Sequence, residues 1–432
     1  MRHNSGHFSL MLKALEFGFK GLTEKWGQKQ VQAVPFAIER QPTELAPFFC
    51  PHFSVSFSFH RNQFCRLQQE VSKSVVQSRC SIFRPLFFAS FVLCVLGCCN
   101  LGSAADDPSK PVDYEWVKIT TTAAFAPRDG AGALSFQGKM WFLGGWNPGA
   151  ATRSFFPRIC NNEVWSSKDG AEWILEKPNT FKDRSFDAKA DWEGRHTAGY
   201  AVYRDKLWIL GGDCNQGNYQ PDVWNSADGK NWKLINPATP WGQRALHYTV
   251  VHADKIWVMG GQTMPAFAKS EEAFYRDVWT TTDGVEWTQL KPQEPYWSAR
   301  GMIGGSAVHK GRIWILGGGT YDTPKTPTRQ YMNDVWSSAD GVKWTRHVEA
   351  APWAPRQYHD VAVWDDRLWV MEGYAKANRK DVWYSADGEH WFEVPNTPWQ
   401  PRHAASVFVH NGALWMVAGN NMEPDVWRLR RK

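Results

Sequence analysis

Six arginines recur at equivalent places in the sequence and are the first candidates for chemistry. Each follows an aromatic residue by three positions, at Arg128, Arg195, Arg244, Arg300, Arg356 and Arg402. Guanidinium groups bind carboxylates through forked hydrogen bonds, so a ring of them could hold an anionic ligand. The repetition also fits a structural role, in which each arginine bonds to carbonyl groups of the neighbouring repeat. We expect the structural role for most of them, which leaves about two or three for a ligand.

Glu372 is the candidate for acid–base chemistry. It stands where the other copies of the same motif have glycine or alanine, and the pattern places it near Arg356 and Arg402. A carboxyl there either lies exposed at an edge or points toward a ligand, where it could act with Arg356 as a catalytic group. Exposed loop carboxylates are the commoner case, and no motif brings Glu372 together with Glu271 or Glu272.

Histidines and aromatic residues of the variable loops are candidate ligand contacts. His196 and His403 directly follow their arginines, and Trp146, Tyr219 and Tyr321 lie in the loops. Aromatic rings beside amide side chains suit a sugar, and they suit a protein surface almost as well. No histidine or cysteine spacing typical of a metal site occurs, so neither a metal nor another cofactor is predicted.

Cys160 and Cys214 are candidates for a disulfide. Six of the eight cysteines lie at or before residue 99, and these two lie in predicted loops of adjacent repeat units. In an oxidising compartment, an even pair at this placement predicts a bridge, which typically contributes a few kcal/mol. Two free thiols are the alternative.

The elements that must position these residues form a repeat of roughly 50 residues. Each unit has an aromatic-x-x-Arg segment, an apolar stretch, a Trp-rich stretch that ends in Gly-Gly, and a variable loop. A hairpin such as DVWSSADGVKW at 334–344 completes the unit. Runs of Val, Ile, Trp and Tyr between turn residues predict four short antiparallel strands, here called a to d. Asp-Gly supplies the positive φ that the c–d turn requires.

The number of hairpins predicts how the repeats close. Six first strands occur with five complete c–d hairpins, and the sixth unit reaches Trp427 without an Asp-Gly turn. In the stretch 113–120, Trp116 precedes Phe125 by nine residues, which is the spacing of the final tryptophan in other units. A strand there would close a ring without an open edge. We therefore predict an all-β fold, a six-bladed β-propeller of four-stranded antiparallel blades over 113–432, preceded by a linker at 106–112.

The two faces of such a ring differ. The d–a linkers and b–c loops emerge on one face, here called the loop face, and the short a–b and c–d turns emerge on the other, the turn face. The loop face carries the arginines and the loops of variable length, from eighteen residues at 146–163 to eight at 374–381. Variable loops on a rigid framework usually carry recognition, so we assign function to the loop face.

The repeated motifs resemble the kelch-type propeller family and the central domain of galactose oxidase. The resemblance covers 113–432 and departs at Glu372 and Ala418, where altered b–c junctions are expected. It implies a module that binds a glycan or a protein. Exported sialic acid mutarotases share this kind of propeller and use acid–base residues on such a face, so a sugar isomerase with Glu372 and Arg356 is the alternative. Oxidase and sialidase activities rank last, because the copper ligands and the arginine triad of those enzymes have no counterpart here.

The first 105 residues are predicted to lie outside the fold. They hold 11 Lys and Arg against 5 Asp and Glu, while 106–432 holds 38 of each, so no nucleic-acid partner is expected. Residues 85–105 follow a basic flank and contain a short apolar run with small residues near Ala105, which predicts a cleaved signal peptide and a secreted or periplasmic protein. We expect this protein to be a monomer. The run is too short for a stable membrane span. Residues 1–84 would then be absent from the mature protein, with initiation near Val71, and lipid attachment at Cys98 is a minority alternative.

Overall fold

The described part of the protein is built from strands, turns and loops. The computed structural model describes residues 107, 110–147, 160–181, 183–214, 219–264, 271–301, 305–323 and 327–432. Six four-stranded antiparallel sheets form the blades of a β-propeller, as predicted. Within these ranges, no helix is long and apolar enough to cross a membrane. The predicted signal peptide at 85–105 and the lipid attachment site at Cys98 lie outside the described residues.

The first described strand is β1 (Tyr114–Thr120), which belongs to blade 6. The strands of the first five blades then follow one another along the chain. Blade 1 consists of β2 (Gly132–Phe136), β3 (Lys139–Leu143), β4 (Val164–Ser167) and β5 (Ile174–Lys177). Blade 2 consists of β6 (Gly199–Tyr203), β7 (Lys206–Asp213), β8 (Tyr219–Ser226) and β9 (Lys233–Asn236). Blade 3 begins with β10 (Tyr248–His252) and β11 (Lys255–Met259), continues through a hairpin of β12 (Gln262–Thr263) and β13 (Ala273–Phe274), and ends with β14 (Val278–Thr281) and β15 (Thr288–Leu290).

The remaining three blades have the same order. Blade 4 consists of β16 (Ser306–His309), β17 (Arg312–Thr320), β18 (Gln330–Ser338) and β19 (Thr345–Val348). Blade 5 consists of β20 (Asp360–Trp364), β21 (Arg367–Met371), β22 (Val382–Ser385) and β23 (Phe392–Glu393). Blade 6 contributes β24 (Ser406–His410), β25 (Ala413–Val417) and β26 (Val426–Arg431).

Strand β1 completes blade 6, as the hairpin count predicts. The sheet has the order β1-β26-β25-β24, so β1 is its strand d. Trp116 pairs with Leu429 in the register of β1 and β26, and its ring lies edge-on to Trp399 with centroids 4.2 Å apart. The Lys432 amide donates a hydrogen bond of 3.0 Å to the Asp113 carbonyl. The ring therefore closes by strand pairing, in which β1 covers the edge that β26 would otherwise leave open.

The apolar core lies between neighbouring blades. Trp141 and Val164 of blade 1, for example, share one cluster with Ile209 of blade 2. Strand b supplies much of this contact, because its apolar residues are fully or almost fully buried on both sides of the sheet. Burial of both faces explains why strand b reads as a continuous apolar run rather than as an alternating one.

The c–d turn explains the repeated Ser-x-Asp-Gly-x-x-Trp motif. In blade 4, the Ser338 hydroxyl accepts the Gly341 amide at 2.8 Å, and Asp340 accepts two further backbone amides at 2.8 and 2.9 Å. The Trp344 indole donates to the Gly341 carbonyl at 3.1 Å. A Cβ on Gly341, which has a φ of +71°, would lie 2.4 Å from the Trp257 ring of blade 3. The motif therefore also packs one blade against the next, and glycine is required there by both conformation and space.

The repeated arginines fasten the strands of each blade. Each donates to the carbonyl of the first residue of the Gly-Gly position in its own blade. Each also forms a salt bridge of 2.5–2.8 Å with the acid that precedes Val-Trp or its equivalent, in the pairs Arg128–Glu163, Arg195–Asp222, Arg244–Asp277, Arg300–Asp334, Arg356–Asp381 and Arg402–Asp425. The side chains thus bond within their own blade and not to the neighbouring repeat.

The backbone of the same arginines links successive blades. The amide of the second residue of each Gly-Gly position donates to the carbonyl of the arginine in the next blade, as Gly145 does to Arg195 at 2.8 Å. The last bond of the series runs from Gly419 in blade 6 to Arg128 in blade 1 at 3.1 Å. Each arginine therefore holds two blades, one through its side chain and one through its carbonyl.

Candidate functional site

One pair of residues in each blade extends the inner strands beyond the arginines on the loop face. The residue after each arginine bonds through its backbone to the residue after the Gly-Gly position. These pairs, here called the mouth ring, are Asp129–Trp146, His196–Asp213, Ala245–Gln262, Gly301–Gly319, Gln357–Tyr374 and His403–Asn420. The arginines beneath are the same in every blade, whereas the mouth ring differs from blade to blade. Side chains that vary on a repeated framework are the candidates for recognition.

The arginines predicted to bind a ligand lie beneath the mouth ring. They are 0–2% exposed, and their donors are used by carbonyls and acids of their own blades. Arg356, for example, donates to the Ala354 and Glu372 carbonyls and to both carboxylate oxygens of Asp381. The structure therefore assigns the six arginines a scaffold role, and their predicted contact with a ligand stays a prediction.

Blades 1 and 2 contribute an aromatic ring, a histidine and a thiol to the mouth. The Trp146 and His196 rings stack at 28° with centroids 6.4 Å apart. The Cys160 sulfur lies 3.5 Å from Nδ1 of His196. Burial lowers the pKa of His196, so its imidazole is neutral at neutral pH. Both predicted contacts, Trp146 and His196, thus lie together at the mouth.

The two cysteines predicted to form a disulfide are not joined in the structure. Cys160 and Cys214 are both fully buried thiols. Burial raises the pKa of Cys214 well above its usual range, which keeps the thiol protonated and chemically inert. A bridge between the two therefore stays a prediction for the protein in an oxidising compartment.

Asp129 is a carboxyl of the mouth ring that sequence reasoning missed. It is 7% exposed, and burial raises its pKa to about 8. At neutral pH the carboxyl is therefore largely protonated and can donate a hydrogen bond as well as accept one. The repeat alignment could have revealed it, because Asp129 occupies the variable position directly after a repeated arginine.

Arg329 is a second residue that the sequence analysis missed. Its guanidinium lies over the Tyr321 ring, 4.7 Å from the centroid. It also pairs with Asp322 at 2.7 Å, and 24% of its side chain is exposed. Unlike the repeated arginines, it is partly accessible, so it is the better candidate to meet a ligand on the loop face. It lies in a variable loop outside the repeated pattern, which explains why alignment of the repeats gave no indication of it.

The predicted contacts Tyr219 and Tyr321 belong to one cluster beside the mouth. Tyr219 packs with Leu246 and Met264, and the partly buried rings of Tyr321 and Tyr358 cover them. Burial raises the pKa values of both Tyr219 and Tyr321, so their hydroxyls remain protonated. The cluster forms an aromatic wall beside the polar mouth ring.

His403, also predicted as a contact, lies among aromatic rings of blade 5. Its ring centroid is 5.1 Å from that of Tyr358 and 5.6 Å from that of Tyr374. Its Nδ1 lies 2.7 Å from Oδ1 of Asn378, which identifies Nδ1 as the protonated nitrogen. Burial lowers the pKa of His403 to about 3, so the ring is neutral. The surroundings of His403 are therefore aromatic, and burial together with the nearby Arg329 keeps the imidazole neutral.

Two amide side chains of the mouth ring have hydrogen-bonding atoms that the protein does not use. Gln262 and Gln357 are fully buried. Among the described residues, Oε1 of Gln262 and both polar atoms of the Gln357 amide have no hydrogen-bond partner. Buried amides are nearly always hydrogen-bonded in native proteins. These two therefore offer unused bonds to a molecule bound at the mouth.

Glu372 lies below the mouth surface. It is fully buried with a φ of +48°, and its carboxylate accepts the Gly373 amide at 2.5 Å. Burial and the neighbouring Asp360 raise the pKa of Glu372 well above its usual range. The structure brings Arg356 to the Glu372 carbonyl and Asp360 to its carboxyl. The titratable group beside the Glu372 carboxyl is thus a second carboxyl, Asp360, which sequence reasoning missed.

Comparisons with known proteins do not identify a family for this chain. The chain matches no known family, and no curated protein is significantly similar to it. Among the described residues, no group of three His, Cys, Asp or Glu could hold a metal ion. The functional interpretation therefore rests on the geometry of the loop face.

Proposed function

We propose that the protein is an exported kelch-type propeller that binds a glycan through the mouth ring and the loops around it. The mouth ring carries the proposal, because it places different polar and aromatic side chains on six otherwise equivalent positions. Amide atoms without partners and a protonated carboxyl can bond to sugar hydroxyls as donors and acceptors. Aromatic walls beside a few polar groups are typical of small-molecule sites.

A glycan is favoured over a protein ligand by the size of the mouth. A stable protein interface uses about 20–30 residues on each side, whereas the mouth ring has twelve, of which several are buried. Hydrogen-bonding atoms that lie buried at a mouth suit a ligand that can be partly enclosed. A protein surface would contact mainly the exposed loops around the ring.

The experiment is a glycan array with the secreted protein, followed by titration of the best binders. Arg329→Ala and Gln357→Leu should each weaken binding by about tenfold or more, because each removes hydrogen bonds or stacking at the mouth. Arg276→Ala is the matched control. Arg276 also stacks on a tyrosine, Tyr296 at 3.6 Å, and pairs with Glu294 at 3.0 Å, but Tyr296 packs against the core cluster of Trp297 and not in the aromatic cluster beside the mouth. Equal losses in the three variants, or an array without any binder, would contradict the proposal.

Export and the kelch-type assignment are part of the proposal. Export is supported by the basic residues Lys73, Arg79 and Arg84 and by the apolar run and small residues that follow at 85–105, and the assignment is supported by the six spaced copies of the repeat. Peptide mapping of the secreted protein should find a new N-terminus near Ala105. A mature protein that retains residues 1–84 would refute this part.

A second candidate is a sugar isomerase of the mutarotase kind, which the Asp360–Glu372 pair favours. Opening and closing a hemiacetal needs one proton donor and one acceptor. Two adjacent carboxyls with raised pKa values, one protonated and one ionised, supply both. NMR exchange spectroscopy of the anomers of sialic acid and galactose should then show acceleration by the wild type and loss of it in Glu372→Gln. Anomer exchange at the uncatalysed rate in both proteins would rule out this candidate.

A further inference from the structure

The centre of the ring contains a cavity of about 160 Å³ at the inner ends of the first strands. Every blade contributes to its wall, through Gly130, Tyr200, Thr249, Ser306, Asp360 and Ser406 among others. A single water needs only about 10–15 Å³ of such space. The cavity is therefore large enough for a small organic molecule.

Three side chains in the wall of this cavity have polar atoms without a hydrogen-bond partner in the described part of the protein. They are the Tyr200 hydroxyl, the Thr249 hydroxyl and both ring nitrogens of His247. His247 is 2% exposed, and the nearby Leu210 carbonyl does not complete a hydrogen bond of normal geometry to it. Polar atoms at this depth are normally satisfied. Their concentration around one cavity indicates a bound polar partner.

Asp360 and Glu372 depart together from the repeat beside the same cavity. At the position of Asp360, blades 1 and 2 have Gly132 and Gly199, and at the position of Glu372 the first four blades have glycine. Both carboxyls thus occur in one blade, next to each other, where glycine would leave the space open. Oδ2 of Asp360 and Oε1 of Glu372 have no N–H or O–H partner from the rest of the described protein.

The charge of this pair defines the class of ligand. Burial raises the pKa of Asp360, and burial together with Asp360 raises that of Glu372, so the two share a proton. Asp360 is partly exposed and lines the wall, so it presents an acceptor to the cavity. No Lys or Arg is among the described lining residues. Burial and Arg244 lower the pKa of His247 to about 3, which keeps it neutral.

The carboxyl pair disfavours an anionic ligand, and the hydroxyl and imidazole groups without partners suit a molecule with several hydroxyls. An anion would meet the carboxyl pair without a cation to balance it. Hydroxyl groups can donate to Asp360 and can both donate to and accept from Tyr200, Thr249 and His247.

We propose that the cavity is a second binding site, which takes one small uncharged polyhydroxylated molecule, a polyol or a monosaccharide. The site is formed by the first strands of the blades rather than by the loops. It therefore requires neither glycan binding at the mouth nor catalysis.

Solvent can reach the cavity from the turn face. Val407 lines the cavity, and Val409, two residues further along β24 and on the same side of the strand, is 40% exposed. On the loop side, Leu246 directly precedes the lining residue His247 and packs in the aromatic cluster with Tyr219 and Met264. A small molecule thus has a route that avoids the mouth.

The test is calorimetric titration of the purified protein with five probes. Glycerol, xylitol and galactose are neutral and increase in size, glucuronate is an anion, and ethanolamine is a cation. We expect saturable binding of at least one neutral probe and none of glucuronate. The double variant Asp360→Ser with Glu372→Ala should weaken that binding by about tenfold or more, because it removes a charged acceptor.

The double variant is designed to keep the fold. It gives blade 5 the residues that blade 6 has at these positions, Ser406 and Ala418. Thr249→Val removes one lining hydroxyl without a change of shape and should also weaken the neutral probe, whereas Thr121→Val, at an exposed threonine, should not. Unchanged affinity in the double variant would overturn the proposal. So would preferential binding of ethanolamine or glucuronate, or the absence of binding by all five probes, which would leave a cavity that holds water.

Discussion

Replacement of Asp129 by Asn should remove a loss of stability that occurs as the pH rises. Burial raises the pKa of Asp129 from 3.8 to about 8 in the folded protein. Below about pH 4 the carboxyl is protonated in both the folded and the unfolded chain. At higher pH the unfolded chain ionises first, which favours unfolding. The contribution of Asp129 to the free energy of unfolding is thus complete below its unfolded pKa and is lost as the pH rises through about 8.

The size of the effect follows from the proton that only the folded state retains. Each pH unit between the two pKa values lowers the free energy of unfolding by about 1.4 kcal/mol. From pH 5 to pH 7 the full effect of one carboxyl is about 2.7 kcal/mol. We expect about 1–3 kcal/mol, because local relaxation and water reduce the penalty of a buried charge. Asparagine has nearly the same shape and no charge, so the variant should lack this dependence.

Urea unfolding followed by tryptophan fluorescence at pH 5, 6 and 7 gives the required free energies. Relative to the wild type, the stability of Asp129→Asn should increase by the stated amount over this range. The control is Asp228→Asn in a c–d turn. There, hydrogen bonds from Asn231 outweigh desolvation and lower the pKa of Asp228 to about 2. Its difference from the wild type should be constant from pH 5 to 7. A constant difference for Asp129→Asn as well would refute the assignment of a protonated Asp129.

Two further predictions concern the contacts between blades and the thiols. Gly341→Ala should lower the free energy of unfolding by about 2–4 kcal/mol, because the new Cβ would lie 2.4 Å from the Trp257 ring. The control is Gly311→Ala, because Gly311 has a similar φ of +68° and no atom within 4 Å of a new Cβ. It should lower the free energy of unfolding by only about 1–2 kcal/mol. Equal losses for the two variants in urea unfolding would contradict the contact between Gly341 and Trp257. For the exported protein, the predicted bridge should give a linked Cys160–Cys214 peptide in mass spectra after alkylation of the denatured, unreduced protein. Alkylation of both cysteines would instead show two thiols, as in the structure.

The architecture could be predicted because each repeat encodes it with local rules. Asp-Gly turns such as Asp340–Gly341 mark the hairpins, and the five complete copies count the blades. Trp116, at the spacing of a final tryptophan, identified the strand that closes blade 6. Each of these signals depends on neighbours within about ten residues, which is the range over which sequence patterns are informative.

The site was harder to predict because its contacts span the blades. The acid before each Val-Trp was visible in the repeat, yet Asp334 meets Arg300 across 34 positions, a partner that no local spacing reveals. The sequence indicated an unusual role for Glu372, whereas its neighbour Asp360 emerged only from the pairing of strands a and b. Sequence reasoning placed Trp146, His196 and His403 on the loop face, and the mouth ring contains all three.

One backbone hydrogen bond to an arginine carbonyl occurs at each of the six junctions between neighbouring blades. The distances range from 2.8 to 3.1 Å, and the bond that joins Gly419 to Arg128 falls within this range. The junction between blades 6 and 1 therefore has the same backbone bond as the other five junctions, and the two chain termini meet inside blade 6, where β1 pairs with β26. Because Asp113 and Lys432 are hydrogen-bonded neighbours, a circularly permuted chain that joins them and begins in another c–d turn would preserve all of these bonds. The contacts that stabilise the propeller thus depend on the closed ring of blades and not on which blade comes first along the chain.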